Sequence, residues 1–353
     1  MSKPVVLVTG GAGFIGSNFI YAALARGLKV VNLDKLTYAG NIHNLTQVAD
    51  HADYTLAEGD ICDGALVGDL LVKHQVSWVA HFAAESHVDR SIEGPEAFIQ
   101  TNVVGSFTML AQALAWYKTL EGEAKAAFRF LHVSTDEVYG SLGETGFFTE
   151  TTPYAPNSPY SASKASSDHL ARAYFHTYAM PVLTTNCSNN YGPYQFPEKL
   201  IPVILLKALR GDPIPVYGDG SNIRDWLYVG DHCEAILAVF EKGRLGEVYN
   251  IGGNNEKTNL EVVHHICAIL DRLRPKSEGR YADQITFVRD RPGHDQRYAI
   301  DAGKIKDELG WEPSETFETG MAKTVAWYLD NTAWSEQILS GSYRLERIGL
   351  DGE

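Results

Sequence analysis

A tyrosine and a lysine four residues apart have the residue types and spacing for alcohol oxidation. Tyr160 and Lys164 follow Ser158 and Pro159, a cap residue and a first-turn proline that together predict a helix start. At this spacing both side chains lie on one helical face. A cation beside a phenol lowers the phenol pKa from ~10 toward neutrality, so the pair could act as a base on a sugar hydroxyl. The alternative is a solvated helix face, because such pairs are common by chance.

Two adjacent carboxyl groups follow a predicted buried strand in the segment 134–140, STDEVYG. Ligands bind at strand carboxyl ends in α/β folds, so Thr135 could position a substrate hydroxyl. Asp136 and Glu137 offer an acid and a base if their surroundings separate their pKa values. Successive strand residues face opposite ways, so both serve one site only if the chain leaves the sheet there, as Gly140 favours. The alternative is a solvated acidic strand end.

A glycine-rich turn between a predicted strand and helix indicates a dinucleotide site. Gly10, Gly13 and Gly16 let the backbone approach a pyrophosphate at a helix N-terminus. Asp34 ends the next strand, where a carboxylate binds the ribose hydroxyls and repels a 2′-phosphate, which favours NAD over NADP. Asp60, after the third strand, is a candidate for the adenine edge on position alone. The alternatives are a turn that only packs helix on strand, and surface carboxylates.

Strands and helices alternate through the first half of the chain, which predicts the α/β class with a Rossmann-type doubly wound parallel sheet. We expect strands at 5–8, 30–33, 54–56, 78–82, 128–133 and 182–187, and helices at 14–25, 65–73, 95–117 and 159–178. Loop-rich sequence then indicates a smaller mixed α/β substrate-binding lobe. We expect the NAD-binding domain at 1–189, with returning segments around 224–250, and the second lobe mainly at 190–353.

The charge balance argues against nucleic acid as a partner, because 44 Asp and Glu oppose 30 Lys and Arg for a net charge of −14. Apolar runs are too short for a signal peptide or a membrane span, so we expect a cytoplasmic protein. Cations for an anionic ligand are densest in 289–297, with Lys199 and Arg224 as further candidates; the alternative is a charged surface loop. The four cysteines show no metal-site spacing, so we expect buried free thiols and no metal.

Taken together, these motifs resemble the extended short-chain dehydrogenases/reductases and, most closely, the dTDP-glucose 4,6-dehydratases among them. The resemblance runs nearly end to end. The Asp136-Glu137 pair is its discriminating motif, because sugar epimerases of that superfamily lack it at this strand end. The matching segments are TGGAGFIGS (9–17), DKLTYAG (34–40), AAESHVDRS (83–91), STDEVYG (134–140), SPYSASK (158–164), NNYGP (189–193), FPEKLIP (196–202), RDW (224–226) and RPGHD (291–295).

The resemblance implies a hydro-lyase with an internal redox cycle. Tyr160, assisted by Lys164, would take the proton of the glucose 4-hydroxyl, oriented by Thr135, as hydride passes from C4 to NAD. Glu137 would then remove the C5 proton while a protonated Asp136 gives a proton to the departing C6 hydroxyl. Hydride return to C6 would give dTDP-4-keto-6-deoxyglucose and regenerate NAD.

The resemblance also implies contacts, a sugar cleft between the lobes, and a homodimer formed through the helices at 95–117 and 159–178. With the glycines of the turn, the expected NAD contacts are Gly10, Gly13, Phe14, Ile15, Gly16, Asp34, Lys35, Leu36, Thr37, Asp60, Ile61, Ala83, Ala84, Thr101, Tyr160, Lys164 and Asn189. The expected substrate contacts are Ser86, Thr135, Asn190, Glu198, Lys199, Leu200, Pro215, Tyr217, Arg224, Asn259, Arg289, His294 and Tyr343.

Two rival functions remain open from the sequence. A nucleotide-sugar 4-epimerase, or a dehydratase for another nucleotide sugar, would use the same tyrosine and lysine. A non-catalytic NAD-binding module would need Tyr160 and Lys164 to be incidental.

Overall fold

Seven parallel strands form the central sheet of the computed structural model, which describes residues 3–290 and 295–340. The strands are β1 (Val5–Thr9), β2 (Lys29–Asp34), β3 (Tyr54–Glu58), β4 (Trp78–His81), β5 (Arg129–Thr135), β6 (Val182–Cys187), β7 (Asn189–Tyr191), β8 (Ile214–Tyr217), β9 (Ile223–Tyr228), β10 (Val248–Ile251), β11 (Glu256–Thr258) and β12 (Ile285–Val288). The order β3-β2-β1-β4-β5-β6-β10 extends the doubly wound order by one strand. The predicted fold class is confirmed.

Helices cover both faces of this sheet and build most of the second lobe. They are α1 (Phe14–Ala25), α2 (Gly64–Lys73), α3 (Val88–Glu93), α4 (Pro95–Phe98), α5 (Ser106–Thr119), α6 (Gly122–Ala127), α7 (Pro159–Tyr178), α8 (Leu200–Arg210), α9 (Val229–Lys242), α10 (Asn259–Leu273), α11 (Gly303–Leu309), α12 (Phe317–Asp330) and α13 (Thr332–Ser340). Short 3₁₀ turns occur at Ile42–Val48, Asp136–Tyr139 and Tyr281–Gln284. Within the described ranges, no helix is long and apolar enough to cross a membrane.

The alternation of side chains along β1 shows how the sheet is buried on both faces. Val6 and Val8 pack in the core that includes Phe19 of α1, whereas Leu7 packs in the core with Val67 of α2. All five residues are fully buried. Burying a Val, Leu or Phe side chain contributes about 1.5–3 kcal/mol, so apolar residues at successive positions favour this central strand.

The long helix predicted at 95–117 is interrupted. A π-helical stretch, Ile99–Gly105, separates α4 from α5. Within it, Asn102 makes two hydrogen bonds with the backbone of Glu85 and donates to the Ser163 hydroxyl at 2.8 Å. Apolar periodicity does not encode such a widened turn, which frequently marks a functional site. By contrast, the observed bounds of α1 and α7 are the predicted ones.

The second lobe consists of two small sheets, β11-β9-β7 and β12-β8, packed with α8, α10 and α12 around a separate apolar core. Thr258 and Glu261 form the capping box expected at the start of α10. The segment between β9 and β11 returns to the first lobe. Helix α9 packs on α1, and β10 pairs with β6 at the edge of the central sheet.

Candidate active site

A pocket of about 400 Å³ opens at the carboxyl ends of the central strands. Its wall includes residues that follow β1, β2, β3 and β4, together with the end of β5. The strand order reverses between β1 and β4, and ligands bind at such a switch point in open α/β sheets. The volume is within the range of about 300–1,000 Å³ for small-molecule sites.

Glycines at the first turn bring the backbone close to this pocket. Gly10 has a φ of +71°, and a Cβ there would lie 2.8 Å from Cα of Ala83. A Cβ on Gly16 would lie 2.3 Å from the carbonyl oxygen of Gly10. Gly13 caps α1 without a side-chain hydrogen bond, and Gly13, Phe14, Ile15 and Gly16 of this first turn line the pocket. This geometry fits a diphosphate at the helix N-terminus.

Asp34 ends β2 and lines the same pocket. Its two carboxyl oxygens accept hydrogen bonds from the backbone N–H groups of Ala12 and Leu36, both at 2.8 Å. Burial raises the pKa of Asp34, and these two hydrogen bonds oppose the rise. At the pocket rim, Lys35 forms a 2.7 Å ion pair with Asp60. The glycine turn and Asp34 together could hold a dinucleotide.

Tyr160 and Lys164 lie on the pocket wall in the first turns of α7, and both are buried. Nζ of Lys164 donates to the carbonyl of Val133 at 2.8 Å. Burial raises the pKa of Tyr160 well above its usual value, Glu137 adds to the rise, and a hydrogen bond with Thr135 lowers it. Burial therefore works against the expected lowering of the Tyr160 pKa by Lys164.

The segment after β5 leaves the sheet at once, as the paired carboxyl groups require. The strand ends at Thr135, and residues Asp136–Tyr139 form a 3₁₀ turn. The Thr135 side chain caps this turn, because its hydroxyl accepts a hydrogen bond from the backbone N–H of Glu137 at 3.3 Å. Glu137 is half-buried on the pocket wall, whereas Asp136 is 1% exposed and lies behind Thr135, whose hydroxyl contacts its Oδ1 at 3.3 Å.

The surroundings of Asp136 favour its protonated form. Burial raises its pKa well above the usual value, and the charges of Glu137 and Asp225 add to the rise, while Arg224 and the hydrogen bond with Thr135 oppose it. Its Oδ2 atom is buried without a hydrogen-bond partner. A protonated carboxyl group directly beside Glu137 could serve as a general acid.

The second lobe closes the other side of the pocket. Asn190, Gln195 and Lys199 line it, and Nζ of Lys199 donates to the carbonyl of Ser86 at 2.9 Å across the opening. The Asn190 side chain is fixed by His232, whose Nδ1 lies 2.9 Å from Oδ1 of Asn190. The pocket therefore has one wall from each lobe.

Most of the residues expected to bind a ligand line this one pocket. They are Gly10, Gly13, Phe14, Ile15, Gly16, Asp34, Lys35, Thr37, Asp60, Ile61, Ala83, Ala84, Ser86, Thr101, Thr135, Glu137, Tyr160, Lys164, Asn189, Asn190, Glu198, Lys199 and Leu200.

The structure places the remaining candidates elsewhere. Those outside the wall are Leu36, Asp136, Pro215, Tyr217, Arg224, Asn259 and Arg289, while His294 and Tyr343 lie outside the described residues. The Arg224 guanidinium donates to the carbonyl of Asp295 at 2.8 Å and stacks on Tyr298. Pro215 and Tyr217 belong to β8, which contributes no residue to the pocket wall.

Several wall residues were not predicted as ligands. Cys187 ends β6 and Glu85 follows β4 within the AAESHVDRS segment, so the rule that strand carboxyl ends carry sites could have found both. Gln195 had no sequence signal, and its buried Oε1 lacks a hydrogen-bond partner. Three cysteines are buried as expected, but Cys62 is partly exposed, because it lies in the loop between β3 and α2.

Comparisons with known proteins agree with this geometry. A model of the GDP-mannose 4,6-dehydratase family matches residues 7–324. A dTDP-glucose 4,6-dehydratase of Xanthomonas campestris pv. campestris is 66% identical over 344 residues, covering 97% of this chain and 98% of that protein.

Two solved structures are also similar. The dTDP-glucose 4,6-dehydratase of Bacillus anthracis in complex with NAD is 49% identical with a TM-score of 0.85, covering 95% of this chain and 100% of that one. That of Streptomyces venezuelae with NAD and dTDP bound is 46% identical with a TM-score of 0.86, covering 95% and 99%. The chain belongs to the dTDP-glucose 4,6-dehydratase family of extended short-chain dehydrogenases/reductases.

Proposed function

We propose that this protein is a hydro-lyase that converts dTDP-glucose to dTDP-4-keto-6-deoxyglucose with NAD. The observation that carries this function is that one pocket contains the glycine turn with Asp34, the buried Tyr160 and Lys164, and Glu137. Directly behind its wall lies Asp136, whose raised pKa favours the protonated form. The relatives named above carry out this reaction or bind NAD and dTDP, which supports the same ligands here.

The residues that would hold the cofactor are those of the glycine turn and the ends of β2 to β4. Asp34 would accept hydrogen bonds from the ribose hydroxyls, and the N–H groups at the start of α1 would face the diphosphate. NAD supplies a hydride acceptor with a positively charged nicotinamide ring when bound. That charge would act on Tyr160 in the direction opposite to the effect of burial, and so favour its ionised form.

Tyr160 and Thr135 would act on the 4-hydroxyl of the sugar. Both line the pocket, and a hydrogen bond between them already lowers the pKa of Tyr160. Thr135 would orient the hydroxyl, and Tyr160 would take its proton as C4 becomes a ketone. Lys164 would stabilise the phenolate, because an ammonium near a phenol favours its ionised form.

Glu137 and Asp136 would then eliminate water. The 4-ketone acidifies the C5 proton, and Glu137, the member of this pair that lines the pocket, would remove it. Asp136 would give its proton to the C6 hydroxyl as that group leaves, which requires the protonated form that its surroundings favour. Asp136 would act from directly behind Thr135, whose hydroxyl lies 3.3 Å from its Oδ1 atom.

The nucleotide and sugar would lie against the second lobe. We infer that Asn190, Glu198 and Lys199 contact the substrate, together with the other predicted substrate residues that line the pocket, Ser86, Thr135 and Leu200. We also infer that the lobe boundary lies at residue 189, with returning segments around 224–250. The location of β10 in the central sheet supports such a return. All four cysteines are free thiols, which supports a reducing, cytoplasmic setting.

We infer that two copies of the chain pair through α5 and α7. The exposed side of the Ile99–Gly105 stretch and α5 carries large apolar side chains, Ile99, Val104 and Phe107, that are 39–49% exposed. The neighbouring outer face of α7 carries the small residues Ala162, Ser166 and Ala173, with the exposed His169 between the last two. An exposed apolar stripe of this kind fits a second copy arranged about a two-fold axis.

The reaction is tested by mixing the NAD-loaded protein with dTDP-glucose, UDP-glucose or GDP-mannose and following enzyme-bound NADH by absorbance. We expect transient NADH and a product lighter by one water with dTDP-glucose. Tyr160→Phe should retain NAD but form no NADH. Recovery of a C4 epimer of unchanged mass would identify an epimerase instead, and NAD binding without any turnover would indicate a binding module.

A further inference from the structure

Helix α7 carries a third buried ionisable residue on the face that holds the tyrosine and the lysine. Asp168 follows Lys164 by four residues, as Lys164 follows Tyr160, so the three side chains form one row along the helix. Lys164 and Asp168 are each 4% exposed. Asp168 is absent from the pocket wall and has no part in the reaction steps above. A buried acid at this place needs an explanation.

Hydrogen bonds from two other segments reach the carboxylate of Asp168. The hydroxyl groups of Ser134 and Tyr154 both donate to its Oδ2 atom at 2.9 Å. Nε2 of His132 lies 3.1 Å from its Oδ1 atom. Because Ser134 precedes Thr135, these contacts tie α7 to the end of β5 directly beside the proposed catalytic segment.

The groups that face Lys164 come from three strands as well as from α7. Burial lowers the pKa of Lys164, and the negative charge of Asp168 is the main effect that opposes this. Cys187 of β6 faces it too, but burial raises the pKa of this thiol to about 12, which keeps it uncharged. His81 of β4 and His132 of β5 are buried, and burial lowers the pKa of each, although the hydrogen bond with Asp168 opposes this for His132.

We propose that Asp168 is a positioning residue whose buried carboxylate is the counter-charge that keeps Lys164 an ammonium and holds the carboxyl end of β5 against α7. The proposal deepens the proposed function, on which it rests. A buried ammonium is costly unless a carboxylate compensates it, and Asp168 provides one from the next turn of the same helix. It acts through Lys164 and Ser134 and need not touch the sugar or the cofactor.

The consequence is a specific pH dependence of sugar oxidation. Lys164 must be protonated to stabilise the Tyr160 phenolate, so the rate of NADH formation falls as pH rises through the pKa of Lys164. An opposite charge nearby shifts a pKa by about 1–3 units. Asp168→Asn keeps the size and an acceptor oxygen for Ser134 and Tyr154 but removes the charge. We expect the alkaline limb of the profile to move down by about one pH unit or more.

The experiment measures single-turnover NADH formation on dTDP-glucose across the pH range for three proteins. The wild type shows first whether the reaction occurs at all, which tests the proposed function separately. Tyr154→Phe is the matched control, because it removes a hydrogen bond to the same carboxylate and keeps the charge. Its alkaline limb should stay at the wild-type pH. An unshifted limb in Asp168→Asn, or an equal shift in both variants, overturns the proposal.

A second measurement covers the case in which Asp168→Asn folds poorly. Thermal unfolding is compared for Lys164→Met, Asp168→Asn and the double variant. If the two charges compensate each other, the double variant should unfold at a higher temperature than the additive expectation, because neither charge is then left alone in the interior. Strict additivity would show that Asp168 has only its hydrogen-bonding role.

Discussion

Asp136 and Glu137 are consecutive in the chain, yet only the second faces the pocket. Asp136 is 1% exposed behind Thr135, with a pKa raised by burial and by the charge of Glu137, while the half-buried Glu137 lines the cavity. The difference follows from the 3₁₀ turn that begins directly after β5. It separates two chemically similar groups into an acid and a base.

Replacing the base should stop the reaction after its first step. We expect Glu137→Gln to form enzyme-bound NADH from dTDP-glucose but to lose solvent exchange at C5, with turnover reduced by about 10²–10⁴-fold. Rapid-quench mass spectrometry in deuterated water measures the exchange. Glu144→Gln, an exposed glutamate in the loop after the same turn, is the control and should behave as the wild type. Exchange at the native rate in Glu137→Gln would assign the base elsewhere.

Replacing Asp136, the proposed acid, with asparagine should slow the elimination of water. It should also make the folded protein more stable than the wild type at high pH. The folded-state pKa of Asp136 is raised, so its contribution to stability is present below the ordinary value of about 3.9 and is lost as pH rises through the folded-state pKa. Asp136→Asn has no such loss. We expect its Tm to exceed that of the wild type by about 2–4 °C toward the alkaline end, with the gap closing in acid. A gap independent of pH in calorimetry would contradict a protonated Asp136.

Cofactor choice should depend on Asp34. Asp34→Ser removes a carboxylate that lines the pocket, and we expect NAD to bind about 10–100-fold more weakly while NADP loses less or gains. Titration of protein fluorescence with each dinucleotide measures this ratio. Glu58→Gln is the control, because Glu58 lies beside Asp34 in the register of β2 and β3 but is exposed and outside the pocket wall. An unchanged NAD:NADP ratio in Asp34→Ser would remove Asp34 from cofactor selection.

The pairing of two copies is tested by a charge at the centre of the apolar stripe. Phe107→Asp should give a monomer in light scattering, since a buried, unpaired carboxylate disfavours the interface. Phe287→Asp is the matched control, because Phe287 is the more exposed of the two, 60% against 49%, and lies in the second lobe. Equal masses for Phe107→Asp and wild type would exclude this face as the interface.

The sequence predicts those elements of the fold that depend on local signals. A continuous apolar run for β1 and a capping residue with proline for α7 are local signals, and both elements are found at the predicted places. The π-helical stretch around Asn102 could not be predicted, because it depends on contacts with Glu85 and Ser163 that are distant in the chain. Likewise the sequence predicts that Tyr160 and Lys164 belong to the site. Whether the Tyr160 pKa is raised or lowered depends on how deeply the side chain is buried, which residue spacing does not reveal.

The central claim is that this pocket dehydrates dTDP-glucose through deprotonation at C5. The most direct measurement is mass spectrometry of dTDP-glucose after incubation with the purified protein and NAD in deuterated water. We predict a product that has lost one water and retains one carbon-bound deuterium. A nucleotide sugar recovered with unchanged mass, while NAD remains bound, would contradict the roles of Asp136 and Glu137 and leave only the fold and the cofactor site.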